Sequence, residues 1–481
     1  MLGTSVTVRH PSFVSFSLSF IFFCLLCVSP AQALTDKARL HDVKFLLNTL
    51  EQNYAYTWLK RVDWDALREK YIPLVRSHTT DQKHYELLTN ILQELRDSHC
   101  LIINPTLPER FNPGFVINEI ENKYIVSEVS VNSPAYRSGI RKGFELTRVQ
   151  HQPVAQVLND FQKHLMGSPQ WIRAYSTDLL ATVPGTSKKT YTPQTFTFFD
   201  QQRKEKDIFL SVPAGVELTE RSFWRWESSR PLVQSTTLPG NVGYIKVTGF
   251  KHKKGQEPSV SSQFRNHLRG LSQRQTKGIV IDLRNTNGGY GDEVCRMASF
   301  FMPDQTLLRQ TCHPKSRNCI VQNKSKLRLS MNYTTYPDLY MYGGPVVLLT
   351  NSYCRSACDM FSAAFKMTGR GRIIGQTTAG AGGTYSCARL PSKVPFCYTN
   401  WPVVLADGSL VEGVGISPDV PLRQTLKDLQ RGQDTLLTAA KSHIEKQFRI
   451  AIELEKLNSR RQTFDDALFA EPARRQTSGY R

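Results

Sequence analysis

The chain has 481 residues, 40% of them hydrophobic and 21% charged, and carries a formal net charge of +20. This length and composition are those of a globular protein with two or three domains and a sizeable buried core. The basic excess favours acidic partners or anionic surfaces, but the cations are spread along the chain without a recognition motif, so nucleic-acid binding is not expected.

In chain order, residues 1–33 read as an export signal. Arg9 and His10 precede the apolar run Phe13 to Val28, and Ala31-Gln32-Ala33 supplies a small-x-small cleavage pattern. No other segment is long enough to cross a bilayer, so no integral span is expected after signal removal. Residues 34–104 carry apolar positions at helical spacing, in Leu40, Val43, Leu46-Leu47 and Leu50 and again in Tyr85, Leu87-Leu88, Ile91-Leu92 and Leu95. The second of these helices hands over to a strand through Arg96-Asp97-Ser98-His99-Cys100. From 105 to 212 the pattern turns to strands, with a short helix ending at Gly139 and a turn at Gly143. That order resembles a PDZ domain, with the peptide-binding loop and strand expected at Gly114, Phe115, Val116 and Ile117. Such a module takes a peptide by strand addition to an open sheet edge; a structural spacer is the other use of the segment.

Residues 213–425 alternate strands with helices, which predicts a mostly parallel sheet with crossover helices. Gly243–Val247 and Gly278–Arg284 are strands, the latter followed by Asn285-Thr286-Asn287-Gly288-Gly289. Pro345–Thr350 is a third strand and Arg372–Gly375 a fourth, leading to Gln376-Thr377-Thr378-Ala379-Gly380-Ala381-Gly382-Gly383. The glycine turns belong at the carboxyl ends of parallel strands, where open α/β sheets keep their sites. Neither contains a phosphate-binding pattern, so nucleotide binding is disfavoured. The tail, 426–481, predicts one or two amphipathic helices with Leu436-Leu437, Ala440, Ile444, Phe448, Ile452 and Leu457 on one stripe, packed on the core or pairing two copies as a homodimer.

Eight cysteines remain after the leader, an even number that permits disulfides in an exported chain. Cys312 with Cys319, and Cys387 with Cys397 across a hairpin, are plausible local pairs. Beyond the leader, metal-ligand spacings of the CxxC or HxxxH type are missing, so neither a metal nor another cofactor is expected.

The chemistry concentrates at Ser356. It follows a strand and a turn and opens an apolar helix, where free backbone N–H groups can stabilise an oxyanion. Serine in that position also serves simply as an N-cap. A serine hydroxyl needs a base of pKa near 7, which a histidine supplies, and the histidine needs a carboxylate to hold its tautomer.

Three blocks, Asp282–Gly289, Leu349–Asp359 and Ile374–Gly380, resemble those of the tail-specific, or carboxyl-terminal processing, serine proteases. One departure matters: the lysine that activates the serine in the usual members is missing, since the block reads Ala379-Gly380-Ala381-Gly382-Gly383. Lys366, ten residues after Ser356, lies about 15 Å along the same helix. The chain is similar instead to the branch of the chlamydial protease-like activity factor, at Arg96–His99, Ser356–Asp359, Thr378–Gly383 and Val411–Pro418. This resemblance implies a ClpP/crotonase-like α/β protease core with a PDZ-like β-rich insert and an N-terminal helical region. It implies a triad of Ser356 as nucleophile, His99 as base and Glu412 as the group orienting the histidine, with Asp359 or Asp407 as alternatives to Glu412. The oxyanion hole is expected from Ala357 and a glycine of Gly288-Gly289. Cys354 and Cys358 flank the serine and are expected to face away from it. The implied activity is that of an exported serine endopeptidase acting on protein or peptide substrates. A non-catalytic carrier of hydrophobic ligands or peptides, and a PDZ-type adaptor, are the alternatives.

Overall fold

The computed structural model describes residues 33–77, 80–187, 189–220, 231–251, 258–302, 306–311, 329–335 and 340–469. The body of the leader, the Cys312–Cys319 pair, Trp224, Trp226 and the Arg474-Arg475 end lie outside these residues. Helices α1 (Asp36–Asn53), α2 (Trp64–Tyr71) and α3 (Asp81–Glu94) start at Thr35, Asp63 and Thr80, whose side-chain oxygens accept the N–H three residues on. Their apolar faces, including Leu46, Leu50, Leu88 and Ile91, pack on Leu390, Phe396 and Tyr398 from far along the chain. The strand β1 (Leu101–Ile102) follows directly.

Next comes an antiparallel sheet with a core of its own around Phe115, Phe196 and Phe198. Its strands are β2 (Phe115–Ile120), β3 (Lys123–Val129) and β4 (Glu145–Val149), then, after helices α4 (Val154–Gln162) and α5 (Pro169–Leu179), β5 (Gln194–Phe199) and β6 (Glu205–Leu210). The order is β6-β5-β4-β3-β2, which leaves β2 at the edge. The two helices depart from the strand-dominated expectation. α4 buries Val154, Val157 and Leu158 at helical spacing, and α5 begins with Ser168 capping Trp171 N–H and Pro169 at its first position.

The remaining chain builds β7 (Val233–Leu238), β8 (Val242–Val247), α6 (Val260–Gln273), β9 (Ile279–Asp282), α7 (Gly291–Ser299), β10 (Val346–Thr350), α8 (Ala357–Thr368), β11 (Arg372–Gly375), β12 (Thr384–Arg389), β13 (Pro395–Trp401), β14 (Val420–Pro421) and α9 (Thr435–Phe469). The central sheet runs β7-β8-β9-β10-β11-β14. It is parallel from β8 onward, with β7 antiparallel at one edge. Both faces are covered, which is why these strands are continuous apolar runs. Ile279, Ile281, Val346 and Leu348 face the layer containing Phe264, Met297 and Phe361. Val280, Val347 and Leu349 face Leu436, Ala440 and Ile444 of α9. The tail stripe therefore packs on the sheet over its first turns only. Farther along, Leu454 and Leu457 are exposed, so the helix outruns the surface it covers. No described helix is long and apolar enough to cross a membrane.

Candidate active site

Ser356 stands at the N-cap of α8, immediately beyond the carboxyl end of β10. Its backbone is at φ 58°, ψ −115°, outside the extended conformation usual for a capping residue. A non-glycine residue held there is strained and must be fixed by its surroundings. Asp359 does much of this. Its fully buried carboxylate accepts the N–H groups of Ser356 at 2.8 Å, Gly380 at 2.9 Å and Ala381 at 3.0 Å. Burial pushes this carboxyl's pKa up, against the pull of those same hydrogen bonds. Asp359 is thus committed to the turn and is not the group that faces the histidine.

Ala357 is the first residue of α8, so its N–H has no partner within the helix. Gly288, in the turn after β9, lies against the serine: a Cβ built there would meet Ser356 Cβ at 2.4 Å and Oγ at 2.7 Å. The Gly288 carbonyl accepts Phe250 N–H at 3.2 Å, which turns the Gly289 N–H of the same peptide unit the opposite way. A Cβ on Gly289 would strike the Phe250 carbonyl carbon at 2.3 Å. Neither glycine tolerates a side chain.

His99 is buried two residues beyond Asp97, whose Oδ1 accepts the His99 N–H at 2.8 Å and the Thr399 hydroxyl at 3.0 Å. Glu412 comes from the other end of the chain. Its Oε1 accepts Ser98 N–H at 2.9 Å and lies 3.9 Å from Lys60 Nζ, while Oε2 lies 3.9 Å from His99 Nδ1. Glu412 is held by the lacing of two turns: Gly413 N–H donates to the Gly380 carbonyl at 2.8 Å and Ile416 N–H to Thr378 Oγ1 at 2.8 Å. Gly415, at φ 76°, brings its backbone so close that a Cβ would meet Thr378 O at 2.3 Å. Serine and histidine are linked through their sequence neighbours, since Arg355 Nη2 donates to the Ser98 carbonyl at 2.5 Å. Ser356 Oγ and the imidazole are not hydrogen-bonded to each other. Tyr385 stacks on the imidazole with ring centres 5.6 Å apart.

Burial drives the electrostatics. It lowers the His99 pKa to about 3, with the Arg355 cation adding to the effect, so the imidazole is a neutral base. Burial, and then repulsion from Asp97, raise the Glu412 pKa well above the usual carboxylate value. Asp97 Oδ2, His99 Nδ1 and Glu412 Oε2 have no hydrogen-bond partner. These three residues have ligand-type atoms within 4.8 Å of one another, the grouping among the described residues that could hold a metal ion. Lys60 and Arg355 already place two positive charges beside the carboxylates, which opposes a divalent cation there.

Residues 241–422 match the model of Peptidase family S41. A protein designated a tricorn protease homolog in Streptomyces coelicolor is 25% identical over 426 residues, covering 84% of this chain and 32% of that protein. One designated a probable CtpA-like serine protease in Staphylococcus aureus is 22% identical over 398 residues, covering 81% and 66%. Over these residues the chain is similar to the tail-specific protease superfamily. It spans about a third to two thirds of the length of these relatives. The solved structure of mature CPAF complexed with lactacystin shares the fold, with a TM-score of 0.65 at 17% identity over 87% of this chain and 99% of that one.

The chain's lysine departure has a structural counterpart. Lys366 lies near the far end of α8, with Nζ 2.5 Å from Asp419. The cysteines beside the serine differ from expectation. Cys354 lies in the turn, not on the helix, and is joined to Cys358 by a disulfide, so neither offers a thiolate. Cys387–Cys397 is bonded as expected, and Cys100 and Cys295 are free and buried. In the predicted peptide-binding segment, Phe115 and Ile117 point into the core. Gly114 and Val116 are half-buried at the edge strand β2, which packs beside α5 and is tied to it by the Arg173–Glu119 ion pair. Sequence reasoning passed over Asp97, Arg355 and Tyr385, and offered Asp359 only as a partner for the histidine. Asp97 had a signal, because an aspartate two residues before a histidine can accept its N–H. Arg355 adjoins Ser356 in sequence, but its reach to the Ser98 carbonyl, like the stacking of Tyr385 on the imidazole, arises only on folding.

Proposed function

We propose that this chain is an exported serine endopeptidase in which Ser356 attacks the substrate carbonyl, His99 takes the serine proton, and Glu412 orients the histidine. The observation that carries this reading is Ser356 at φ 58° with Gly288 packed so closely on its hydroxyl that no side chain fits between them, an arrangement that costs backbone strain and brings a glycine turn against the serine. The N–H of Ala357 and one from the Gly288-Gly289 turn would hold the oxyanion. After acylation, His99 returns the proton to the leaving amine and a water completes hydrolysis. The serine–histidine contact would tighten when substrate enters, as catalytic hydrogen bonds in empty sites often do. The 3.9 Å gap between His99 and Glu412 suits a bridging water between otherwise unpartnered atoms.

Among the described residues β12 pairs only with β13, and its other edge would suit an extended peptide. The Pro395 and Thr399 carbonyls of its neighbour β13 accept Ile103 and Ala55 N–H groups on the opposite side. Arg389, which stands opposite Pro395, therefore aims its own N–H and C=O outward along this edge. The sheet β2–β6 would serve as a PDZ-like module, taking a peptide between β2 and α5. A carrier or adaptor would leave the strained serine and the buried His99 and Glu412 without a use.

The test is reaction with a fluorophosphonate probe together with casein hydrolysis. Wild type should acquire one adduct, Ser356→Ala none, and His99→Ala and Glu412→Gln should react far more slowly. A well-folded wild type that neither labels nor cleaves would overturn the proposal.

A further inference from the structure

We infer that the Cys354–Cys358 disulfide is a positioning element of the serine site, so that the oxidised chain is the fully active form. This rests on the peptidase reading and deepens it. The bond straddles Ser356 symmetrically, two residues from each end, with the two Cα atoms 5.2 Å apart. Both cysteines are completely buried in the main core. Backbone anchors fix each side: Cys354 N–H donates to Asn351 O at 2.9 Å, its carbonyl accepts Ala379 N–H at 2.8 Å, and Cys358 N–H donates to Arg355 O at 3.1 Å. The segment between the anchors holds the left-handed residue and Ala357, the first oxyanion donor.

Opening the bond requires two electrons and two protons from a dithiol reductant, which closes its own disulfide while both sulfurs become thiols. Bonded sulfurs lie about 2 Å apart, whereas non-bonded heavy atoms settle at about 3.5–4 Å. The two thiols must therefore separate by about 1.5 Å in a space with no solvent access. α8 is locked into the core by Phe361 and Phe365, so the displacement passes into the turn through Arg355, Ser356 and Ala357, against the Arg355 N–H bond to Thr286 O at 3.1 Å and the Ser356 N–H bond to Asp359. A nucleophile misplaced by about 1 Å loses on the order of 100-fold in rate. Disulfides persist in oxidising compartments, which fits a chain with an export signal. The bond would thus favour activity after export over activity in a reducing cytoplasm.

The experiment compares the full chain in a Cys387→Ala/Cys397→Ala background, oxidised, reduced by a phosphine in urea and refolded without oxidant, and then reoxidised, together with the Cys354→Ala/Cys358→Ala variant. Differential alkylation and peptide mass establish whether the 354–358 bond is closed in each sample. The readouts are the fluorophosphonate labelling rate and the split between kcat and KM on casein. Opening the bond should slow labelling by about 10- to 100-fold, lower kcat with KM little changed, and be reversed by reoxidation. Should the Cys354→Ala/Cys358→Ala variant fail to fold, the reduced background chain carries the test, with circular dichroism confirming that it is folded. Equal rates with the bond open and closed, or free thiols at both positions in fully active protein, would overturn the inference and leave the peptidase reading intact. Failure to label in either state would remove both.

Discussion

Replacing Gly288 by alanine should nearly abolish reaction at Ser356 while leaving the fold intact. The new Cβ would sit 2.4 Å from Ser356 Cβ, 2.7 Å from Oγ and 3.2 Å from Ala357 N. Non-bonded carbons need about 3.5–4 Å, so the serine turn and the glycine turn must move apart by about 1 Å. Such a displacement costs on the order of 100-fold. The same shift pushes on Ala357 N–H, the proposed oxyanion donor, and loss of one such donor costs a further 10²–10³-fold or so. The combined loss is about 10⁴-fold. Overpacking at one position should lower stability by about 1–3 kcal/mol, which urea unfolding would register as a shifted midpoint. The assay is the second-order labelling rate with a fluorophosphonate, alongside casein hydrolysis. A Gly288→Ala protein that is normally folded and labels at the wild-type rate would refute the placement of the oxyanion beside this glycine.

Asp359→Asn should destabilise the fold by about 2–4 kcal/mol and slow labelling, because an amide offers one acceptor and one donor where three backbone N–H groups converge; an unchanged urea midpoint would count against this role. His99 is held neutral at a pKa lowered from 6.5 to about 3, so below pH 6.5 the unfolded chain binds a proton that the folded chain refuses. That stability is present in full above pH 6.5 and falls as pH drops toward 3, by up to about 1.4 kcal/mol per pH unit. Urea unfolding across this window should show a shallower pH slope for His99→Gln than for wild type, and parallel slopes would contradict the buried neutral imidazole. Lys366→Met should label at the wild-type rate and cost about 0–1 kcal/mol, since it removes only a surface pair with Asp419; a large loss of labelling would revive a lysine-activated serine.

The local signals were legible because they depend on neighbours in sequence. Continuous apolar strands, capped helices and glycine turns follow from backbone preference and periodicity, and the parallel sheet with its glycine turns at the carboxyl ends was readable from them. Motif blocks alone brought Ser356, His99 and Glu412 forward as a set. Tertiary structure decided what surrounds them. The N-terminal helices share a core with Phe396 and Tyr398, so the loop bearing His99 is set by residues hundreds of positions away. Asp359 turned from a candidate partner of the histidine into the anchor of the serine turn, a choice made by three N–H groups that only the folded chain assembles. Tail residues on one stripe parted company because the sheet is only wide enough for the first turns of α9. Cys354 and Cys358 paired because the turn before α8 brings two Cα atoms to 5.2 Å, a distance that depends on the strained backbone between them and not on their spacing alone. Periodicity reports which face of an element is apolar, whereas the partner of that face, and the charges that meet behind it, are properties of the packed molecule.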